Sequence, residues 1–327
     1  MKIKNCPGCL RPNYSSFCPR CVRVMFNGEK IEPIVNIDPE LAARTFAVKE
    51  TRLSISGVQR KHSMVFAEGS VKIVISGGRY ILKPIPGGRL EYIDFVPANE
   101  HLTMQMAKQV FKLKTAECGM LFSKNGEPFY ITKRFDLDIP SGEKLLMEDF
   151  AQIAGKTEET GGGDYKYSFS YEKMASLIME FTTAPKIEIE NFFQLIIFNY
   201  LFSNGDAHIK NFSIIEDAAT GGRILSPAYD LLSTGIHIPG ESDMALDLFE
   251  GDFVTTAFKA GSKYTKEDFI VFAQKIGINN KRFTSIYEPF LDRTDKVSEL
   301  INRSFLRDDI KDIYFRRYLE RLERLKY

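Results

Sequence analysis

Two short stretches, Asp206-Ala-His-Ile-Lys-Asn211 and Pro227-Ala-Tyr-Asp230, decide the fold that this chain of 327 residues is expected to adopt. The first follows an apolar segment, 187–202, whose spacing is typical of a buried helix, and it runs into a strand-like segment at 212–215. A second strand-like segment, 224–229, leads to Asp230. The order of helix, polar loop, hairpin and aspartate predicts that Asp206, Asn211 and Asp230 serve one site.

The chain is β-rich before this loop and helical around and after it. Short β-branched or aromatic runs at 63–67, 71–75 and 80–83 are separated by glycine turns, a helix is expected at 97–111 and a strand at 129–135. Helical periodicity returns in further segments, at 171–181, 266–276, 280–303 and 306–327. We expect a short helix at 38–44 and the boundaries 1–26 for a cysteine-bearing knob, 27–50 for a linker, 51–150 for a β-rich N-lobe and 151–327 for a helical C-lobe.

The loop carries the residue types that phosphoryl transfer needs. That reaction uses a cation on the nucleotide phosphates, oxygen ligands for Mg²⁺ and a carboxylate beside the attacking hydroxyl. Asn211 follows Asp206 by five positions, the offset of the protein-kinase catalytic loop. Lys83 ends a predicted strand, and Lys210 could neutralise the transferring phosphate. Each residue alone is more often structural, so the prediction of a two-lobed, protein-kinase-like α/β (α+β) fold rests on the ordered set.

A series of motifs between residue 51 and about 235 resembles the HipA-type serine/threonine kinases, which are toxins of bacterial toxin–antitoxin systems. The motifs are Ser-Ile-Ser-Gly-Val-Gln-x-Lys at 54–61, Ile-Leu-Lys-Pro at 81–84, Asn-Glu-His at 99–101, Arg-Phe-Asp at 134–136, Glu-Asp-Phe-Ala-Gln at 148–152, Asn-x-Asp-x-His-x-Lys-Asn-Phe-Ser at 204–213 and Pro-Ala-Tyr-Asp-Leu-Leu-Ser at 227–233. Their combination and order are specific, although no motif is specific alone.

The resemblance implies a role for each matching residue. Asp206 would be the proton acceptor, assisted by Lys210, and Asn211 with Asp230 would bind Mg²⁺. Glu148 and Phe150 would hold adenine through their backbones at the hinge. Glu100 looks like the helix carboxylate that pairs with the phosphate-binding lysine, the alternative being an exposed first-turn carboxylate. The remaining residues expected near ATP are Ser56, Gly57, Val58, Gln59, Lys61, Lys83, His208 and Tyr229.

The resemblance also implies regulation and partners. Ser54 falls where this family autophosphorylates, and Ser56 is a second candidate, the alternative being that these serines only cap a turn. The kinase pattern begins near residue 51, which resembles the short, HipT-like branch without an additional N-terminal subdomain. We therefore expect a small HipS-like partner and a DNA-binding HipB-like antitoxin, with contact to DNA only through the latter. The expected target is a translation component such as an aminoacyl-tRNA synthetase.

Four cysteines lie in two Cys-x-x-Cys pairs near the start of the chain, at Cys6, Cys9, Cys18 and Cys21. Each pair can hold a metal from a tight turn, and four sulfurs favour structural Zn²⁺. Disulfides are the weaker interpretation in a reducing compartment. Cys118 stands apart and is expected to be a small buried hydrophobe.

Bulk composition excludes some classes of protein. Lys and Arg total 44 and Asp and Glu total 43, so no overall charge draws the chain toward nucleic acid or membrane. No secretory signal or membrane-spanning run is evident, which predicts a cytoplasmic protein. Two alternatives remain: a lipid or small-molecule kinase, which would use the same Asp-x-His-x-x-Asn core, and a pseudokinase that acts as a binding module. The absence of a membrane anchor argues against the first, and the joint presence of Lys83, Asp206, Asn211 and Asp230 argues against the second.

Overall fold

The computed structural model describes residues 3–36, 59–67, 70–138 and 142–327, and within them a β-rich part precedes a helical part. This is the mixed α/β, two-lobed architecture that the sequence predicts. The predicted helix at 38–44 lies outside the described residues. The strands are β1 (Ile34–Val35), β2 (His62–Ala67), β3 (Ser70–Ile73), β4 (Tyr80–Lys83), β5 (Cys118–Ser123), β6 (Pro128–Lys133), β7 (Met147–Asp149), β8 (Ser213–Glu216) and β9 (Arg223–Leu225).

The first six strands form one sheet in the order β1-β5-β6-β4-β2-β3. Only β1 and β5 pair in parallel among them, and β4 lies between β2 and β6, with Lys83 opposite Tyr130. Side chains of a strand alternate between the two faces of a sheet. Tyr80 and Leu82 therefore pack with the residues of the N-terminal segment on one face, and Lys83 points to the other. The remaining strands form a separate sheet, β7-β8-β9.

Within the described residues, two helices precede the last strands of the six-stranded sheet in sequence, and the other helices follow β7, interrupted only by the strands β8 and β9. They are α1 (Pro19–Phe26), α2 (Val96–Gln109), α3 (Phe150–Ile153), α4 (Glu158–Gly161), α5 (Tyr171–Phe181), α6 (Pro185–Leu201), α7 (Thr256–Gly261), α8 (Lys266–Lys275), α9 (Asn280–Leu291), α10 (Thr294–Arg303) and α11 (Asp308–Lys326). Short 3₁₀ turns occur at Ile93–Phe95, Tyr165–Tyr167, Ile209–Asn211 and Thr234–Ile236.

Two buried helices form the framework for the site. In α2, nearly every side chain is buried, including the polar Asn99, Glu100 and His101. Helix α6 buries apolar residues around most of its circumference, which is typical of a helix inside a core. Four residues separate the end of α6 from the stretch Asp206-Ala-His-Ile-Lys-Asn211, so this stretch starts close to a rigid support.

The prediction of a single helix over 280–303 is wrong. The chain forms α9 and α10, and the break lies at Asp292 and Arg293, whose backbones leave the helical conformation. In a continuous helix the N–H of residue 293 would bond the carbonyl of Pro289, but Nε of Arg293 donates to that carbonyl instead, over 3.2 Å. Strand β5 was not predicted, since its uninterrupted apolar run gives no alternation; Cys118 within it is buried, as expected.

The N-terminal segment, residues 3–36, packs against both lobes. Its aromatic residues Phe17 and Phe26 join a hydrophobic cluster on the sheet, and Tyr80 donates its hydroxyl hydrogen to the carbonyl of Met25. Asn5 Nδ2 donates to the carbonyl of Arg303, at the end of α10, over 2.8 Å. In the part of the chain that the structure describes, no helix combines the length and apolarity needed to cross a bilayer.

Candidate active site and metal centre

Lys83, the last residue of β4, connects two carboxylates across the cleft. Its Nζ donates to Oε1 of Glu100 over 2.5 Å and to Oδ1 of Asp230 over 2.6 Å. Lys83 and Glu100 are almost fully buried, at 2% and 1% exposure. The prediction that Glu100 pairs with the lysine therefore agrees with this geometry, and the alternative of an exposed first-turn carboxylate does not.

The charges of this group follow from its burial and its neighbours. Burial opposes the charge of Lys83, but Asp230 and Glu100 outweigh it and raise the pKa of Lys83 well above its usual range. Burial likewise opposes ionisation of Asp230, but Lys61 and Lys83 hold its pKa well below the usual range. Burial raises the pKa of Glu100 to about 7, although Lys83 acts in the opposite direction. Asp230 thus carries the firm negative charge of the group, and burial makes Glu100 the more weakly acidic of the two carboxyl groups.

Asp206 lies on the loop after α6 and is held from two sides. Its N–H donates to Oδ1 of Asn204 over 3.3 Å, and Tyr167 Oη donates to Oδ1 of Asp206 over 2.6 Å. His208 Nε2 lies 3.9 Å from the same oxygen, which is too far for a hydrogen bond. Burial lowers the pKa of His208 to about 4, so its ring is neutral at pH 7.

Contacts from distant segments fix the loop that carries Asp206. Tyr171 Oη, at the start of α5, donates to the carbonyl of Ala207 over 2.9 Å. The N–H of Gly205 donates to Oγ1 of Thr234 over 2.7 Å. Sequence reasoning assigned no role to Tyr167, Tyr171 or Thr234, because no short motif joins them to Asp206.

Asn211 ends a 3₁₀ turn and offers an unpaired acceptor. Its Oδ1 is buried and has no hydrogen-bond partner among the described residues. Asp230 follows the β8–β9 hairpin with φ +55°, in the left-handed region that non-glycine residues seldom adopt. One cleft contains both side chains, and its lining residues are Gln59, Lys83, Glu100, Asn204, Asp206, Asn211, Asp230, Leu232 and Thr234. An amide oxygen without a partner beside a charged carboxylate suits Mg²⁺, which prefers oxygen ligands.

Several other predicted residues occupy the surroundings of this cleft. Lys210 is exposed, and its Nζ lies 6.0 Å from the ring centroid of Tyr165. Tyr229 is anchored by Ser213, whose Oγ lies 2.6 Å from the phenol oxygen. Lys61 is about half exposed, and its Nζ donates to Oδ2 of Asp230 over 2.8 Å. Gln59 is buried and lines the cleft, whereas the predicted residues Ser54, Ser56, Gly57 and Val58 lie outside the described residues.

The predicted adenine-binding hinge lies where β7 meets α3. Glu148 pairs with Ile214 in the β7–β8 ladder, and its side chain forms an ion pair with Arg223 over 2.8 Å. The N–H of Phe150 donates to the carbonyl of Phe212 over 3.1 Å, and the Phe150 ring is buried. Because this amide is already engaged, an adenine contact through it would require a local change; the roles of Glu148 and Phe150 stay predictions.

The four N-terminal cysteines converge. The sulfurs of Cys6, Cys9, Cys18 and Cys21 all lie within 4.8 Å of one another, and none forms a disulfide. The N–H of Cys18 points to Sγ of Cys6 over 3.2 Å, so a backbone donor already faces one of the sulfurs. Four convergent thiols are a donor set that suits a tetrahedral Zn²⁺ ion.

Comparison with known proteins places this arrangement in a family. Residues 53–298 match the sequence model described as the HipA-like C-terminal domain. A Haemophilus influenzae protein described as a candidate kinase is 28% identical over 288 residues, which cover 84% of this chain and 82% of that protein. The serine/threonine-protein kinase toxin HipA of Shewanella oneidensis is 27% identical over 216 residues, covering 60% of this chain but only 46% of the toxin.

Solved structures share the fold. The complex of HipA, HipB and operator DNA from Shewanella oneidensis matches with a TM-score of 0.64 and 21% identity, over 86% of this chain and 66% of that one. The Helicobacter pylori proinflammatory kinase CtkA matches with a TM-score of 0.51 and 13% identity, over 80% and 90% of the two chains. Since the family model spans most of this sequence and the folds agree, the chain belongs to the HipA-like C-terminal domain family.

Proposed function

We propose that this chain transfers the γ-phosphate of ATP to a serine or threonine hydroxyl of a protein. The observation that carries the proposal is the bridge from Lys83 to Glu100 and Asp230, in the same cleft as Asp206 and Asn211. That set contains a fixed cation, a carboxylate for the acceptor hydroxyl and two oxygen donors for a metal, which phosphoryl transfer requires.

Each residue has a separate task in this proposal. Lys83 binds the nucleotide phosphates, and Glu100 holds its Nζ in place. Asp206 orients the acceptor hydroxyl and takes its proton as the bond from oxygen to phosphorus forms and the bond to ADP breaks. Lys210 screens the charge of the transferring group. Asn211 and Asp230 would hold Mg²⁺, which neutralises phosphate charge when it is bound.

The test compares Asp206→Asn with Asp252→Asn, a matched control at an exposed aspartate far along the chain. Wild type and the control should incorporate label from radiolabelled ATP and Mg²⁺ into protein, on serine or threonine, whereas Asp206→Asn should lose at least about 100-fold, the range of general base catalysis. Equal incorporation in wild type and Asp206→Asn would show that Asp206 is not the base. Mass spectrometry of the same samples tests Ser54 and Ser56 as autophosphorylation sites.

We further propose a toxin role with an antitoxin partner. The support is similarity to a protein named as a HipA toxin and to a HipA chain solved with HipB and operator DNA. A translation component such as an aminoacyl-tRNA synthetase is the proposed target. Induced expression of the wild type in a bacterial host should arrest growth, whereas Asp206→Asn should not; arrest by both would separate toxicity from phosphorylation.

The Cys6, Cys9, Cys18 and Cys21 cluster is proposed to bind one structural Zn²⁺ ion. Convergent sulfurs without disulfides support this assignment. Elemental analysis of reduced protein should give about one zinc per chain for this four-ligand site. Protein that stays free of zinc after incubation with zinc chloride would contradict it.

A further inference from the structure

The turn between Cys6 and Cys9 is bonded directly to helix α2. The carbonyl of Gly8 accepts a hydrogen bond from His101 Nε2 over 3.1 Å, and the carbonyl of Cys9 accepts one from Gln109 Nε2 over 2.9 Å. Since a carbonyl can only accept, Nε2 is the protonated nitrogen of His101. Two successive backbone carbonyls next to the sulfur cluster therefore hold two positions on one helix.

The same turn is also fixed to the sheet. The carbonyl of Pro7 accepts a hydrogen bond from the N–H of Met120, in β5, over 2.9 Å. Helix α2 packs against β5 and β6 through its apolar side chains. The turn thus connects the sheet to the helix and fixes α2 through polar contacts in addition to the apolar ones.

Helix α2 carries the carboxylate that holds the phosphate-binding lysine. Glu100 directly precedes His101, and both are buried, at 1% and 0% exposure. Adjacent residues of a helix point in directions about 100° apart, so one side chain can reach the cleft while the next reaches the turn. A shift of α2 at His101 would move Glu100 relative to Lys83, and the 2.5 Å contact between them leaves little tolerance.

The turn is closed by backbone hydrogen bonds, from the N–H of Leu10 to the carbonyl of Cys6 over 2.9 Å and from the N–H of Cys6 to the carbonyl of Arg11 over 2.8 Å, but it has little regular secondary structure around it. Residues 3–17 contain no helix and only an isolated bridge between Asn5 and Pro12. Leu10 and Asn13 both have positive φ, which is unfavourable for residues with a side chain. A Cβ on Gly8 would lie 2.7 Å from Sγ of Cys21, so the turn fits closely around the cluster. A metal bound by the four sulfurs would add its binding free energy to the stability of such a segment.

We propose that metal binding by Cys6, Cys9, Cys18 and Cys21 positions helix α2 through the carbonyls of Gly8 and Cys9, and thereby sets the contact of Glu100 with Lys83. His101 and Gln109 are positioning residues in this scheme. The metal would be Zn²⁺, held by the four cysteine sulfurs. The inference rests on the proposed function for its consequence, the affinity for nucleotide, but the movement of α2 can be measured without any transfer reaction.

Three variants distinguish the effect of metal binding from the effect of the hydrogen bond between His101 and the Gly8 carbonyl, which is called the link below. Cys9→Ser removes a ligand, His101→Leu removes the link while leaving all four cysteines, and His101→Gln restores a donor that can reach the Gly8 carbonyl. Lys108→Ala is the matched control, because Lys108 lies on the same helix but pairs with Glu117 rather than with the turn. Zinc content, amide hydrogen exchange over residues 96–109 and the affinity for a fluorescent ATP analogue are measured for each.

Cys9→Ser should lose zinc, and His101→Leu should keep it. Both should show faster amide exchange in α2 and an affinity for nucleotide lower by about tenfold, a common size for coupling between sites. His101→Gln should recover much of the loss, and Lys108→Ala should resemble the wild type.

Unchanged α2 exchange and nucleotide affinity in His101→Leu would overturn the proposal, as would a wild type that binds no zinc. If Cys9→Ser does not fold, His101→Leu and His101→Gln still test the link, because both variants keep all four cysteines. Altered α2 exchange in a protein without transfer activity would uphold the link and reject the proposed function, so the two failures are distinguishable.

Discussion

The phenol oxygen of Tyr167 lies 2.6 Å from Oδ1 of Asp206, the carboxylate proposed to accept a proton from the protein substrate. Tyr167 sits in the 3₁₀ turn at 165–167, partly exposed, and its ring packs edge-to-face with His208 at 5.3 Å. A substrate hydroxyl must donate a hydrogen bond to the same carboxylate. The phenol therefore takes a position that an acceptor hydroxyl would use.

Removing the hydroxyl of Tyr167 should make it easier for the protein acceptor to bind at Asp206. A hydrogen bond to a charged group contributes about 1.5–3 kcal/mol, and part of that must be given up when an acceptor displaces the phenol. Tyr167→Phe is expected to raise kcat/KM for the protein acceptor about tenfold at most, mainly by lowering KM. Tyr165→Phe, in the same turn, is the control. A lower kcat in Tyr167→Phe would mean that the phenol orients Asp206 instead.

Replacing Lys83 should damage both stability and nucleotide binding. Lys83→Met leaves the buried carboxylates of Glu100 and Asp230 without their shared cation, and breaking a buried pair in this way costs about 3–5 kcal/mol. We expect a fall of that size in the free energy of urea unfolding and loss of ATP binding by calorimetry. Lys124→Met, an exposed lysine in the β5–β6 turn, should change neither quantity. Normal stability of Lys83→Met would show that the bridge is absent in solution.

Asn211 should govern the requirement for magnesium. Its buried Oδ1 has no hydrogen-bond partner among the described residues, so it is available as a metal ligand. Asn211→Ala should therefore raise the Mg²⁺ concentration for half-maximal transfer by about tenfold. A loss of this size is comparable to that of one hydrogen bond to a charged group. Asn191→Ala, on α6 beside Glu188, is the control. Rates are measured across a magnesium titration at saturating ATP. The same magnesium dependence in both variants would exclude Asn211 as a ligand.

Acidification should destabilise the protein through His237. Its Nε2 lies 2.8 Å from Asn99 Nδ2, and its Nδ1 lies 2.8 Å from the carbonyl of Glu91, so the neutral ring accepts from one group and donates to the other. Burial lowers the pKa of His237 to about 4. The unfolded chain therefore binds more protons between pH 6.5 and 4, and stability falls as the pH falls through that window, by up to about 3 kcal/mol from this residue.

Unfolding experiments between pH 7.5 and 4.5 test this expectation. Burial also lowers the pKa of His101 and His208 to about 4, so they act in the same direction, whereas Glu100, with its raised pKa, opposes them between about pH 4.5 and 7. His237→Gln should flatten the pH dependence relative to the wild type. Parallel curves for the two proteins would contradict the assignment of the buried neutral ring.

Local sequence predicted the elements whose patterns are local. Helix α5 and strand β4 have the predicted bounds, because a capping serine or a regular apolar run defines them. The order of the motifs predicted that Lys83, Asp206, Asn211 and Asp230 share one site, and all four line one cleft. The contact of Tyr167 with Asp206 could not be predicted, since it spans 39 positions without a pattern, and the bond of His101 to Gly8 spans 93. Such contacts depend on tertiary packing, which spacing along the chain does not encode.

The hydrogen bond from Asn5 to Arg303 has a consequence for the order of events during translation. Asn5 is synthesised 298 positions before its partner, and the neighbouring turn that holds helix α2 belongs to the same early segment. Contacts between distant positions form late, because the intervening chain must first exist. A ribosome-bound chain that ends before Arg303 therefore lacks one of the hydrogen-bond partners of this segment. Docking of residues 3–36, and with it the anchoring of helix α2, is therefore expected to be complete only after residue 303 has left the ribosome.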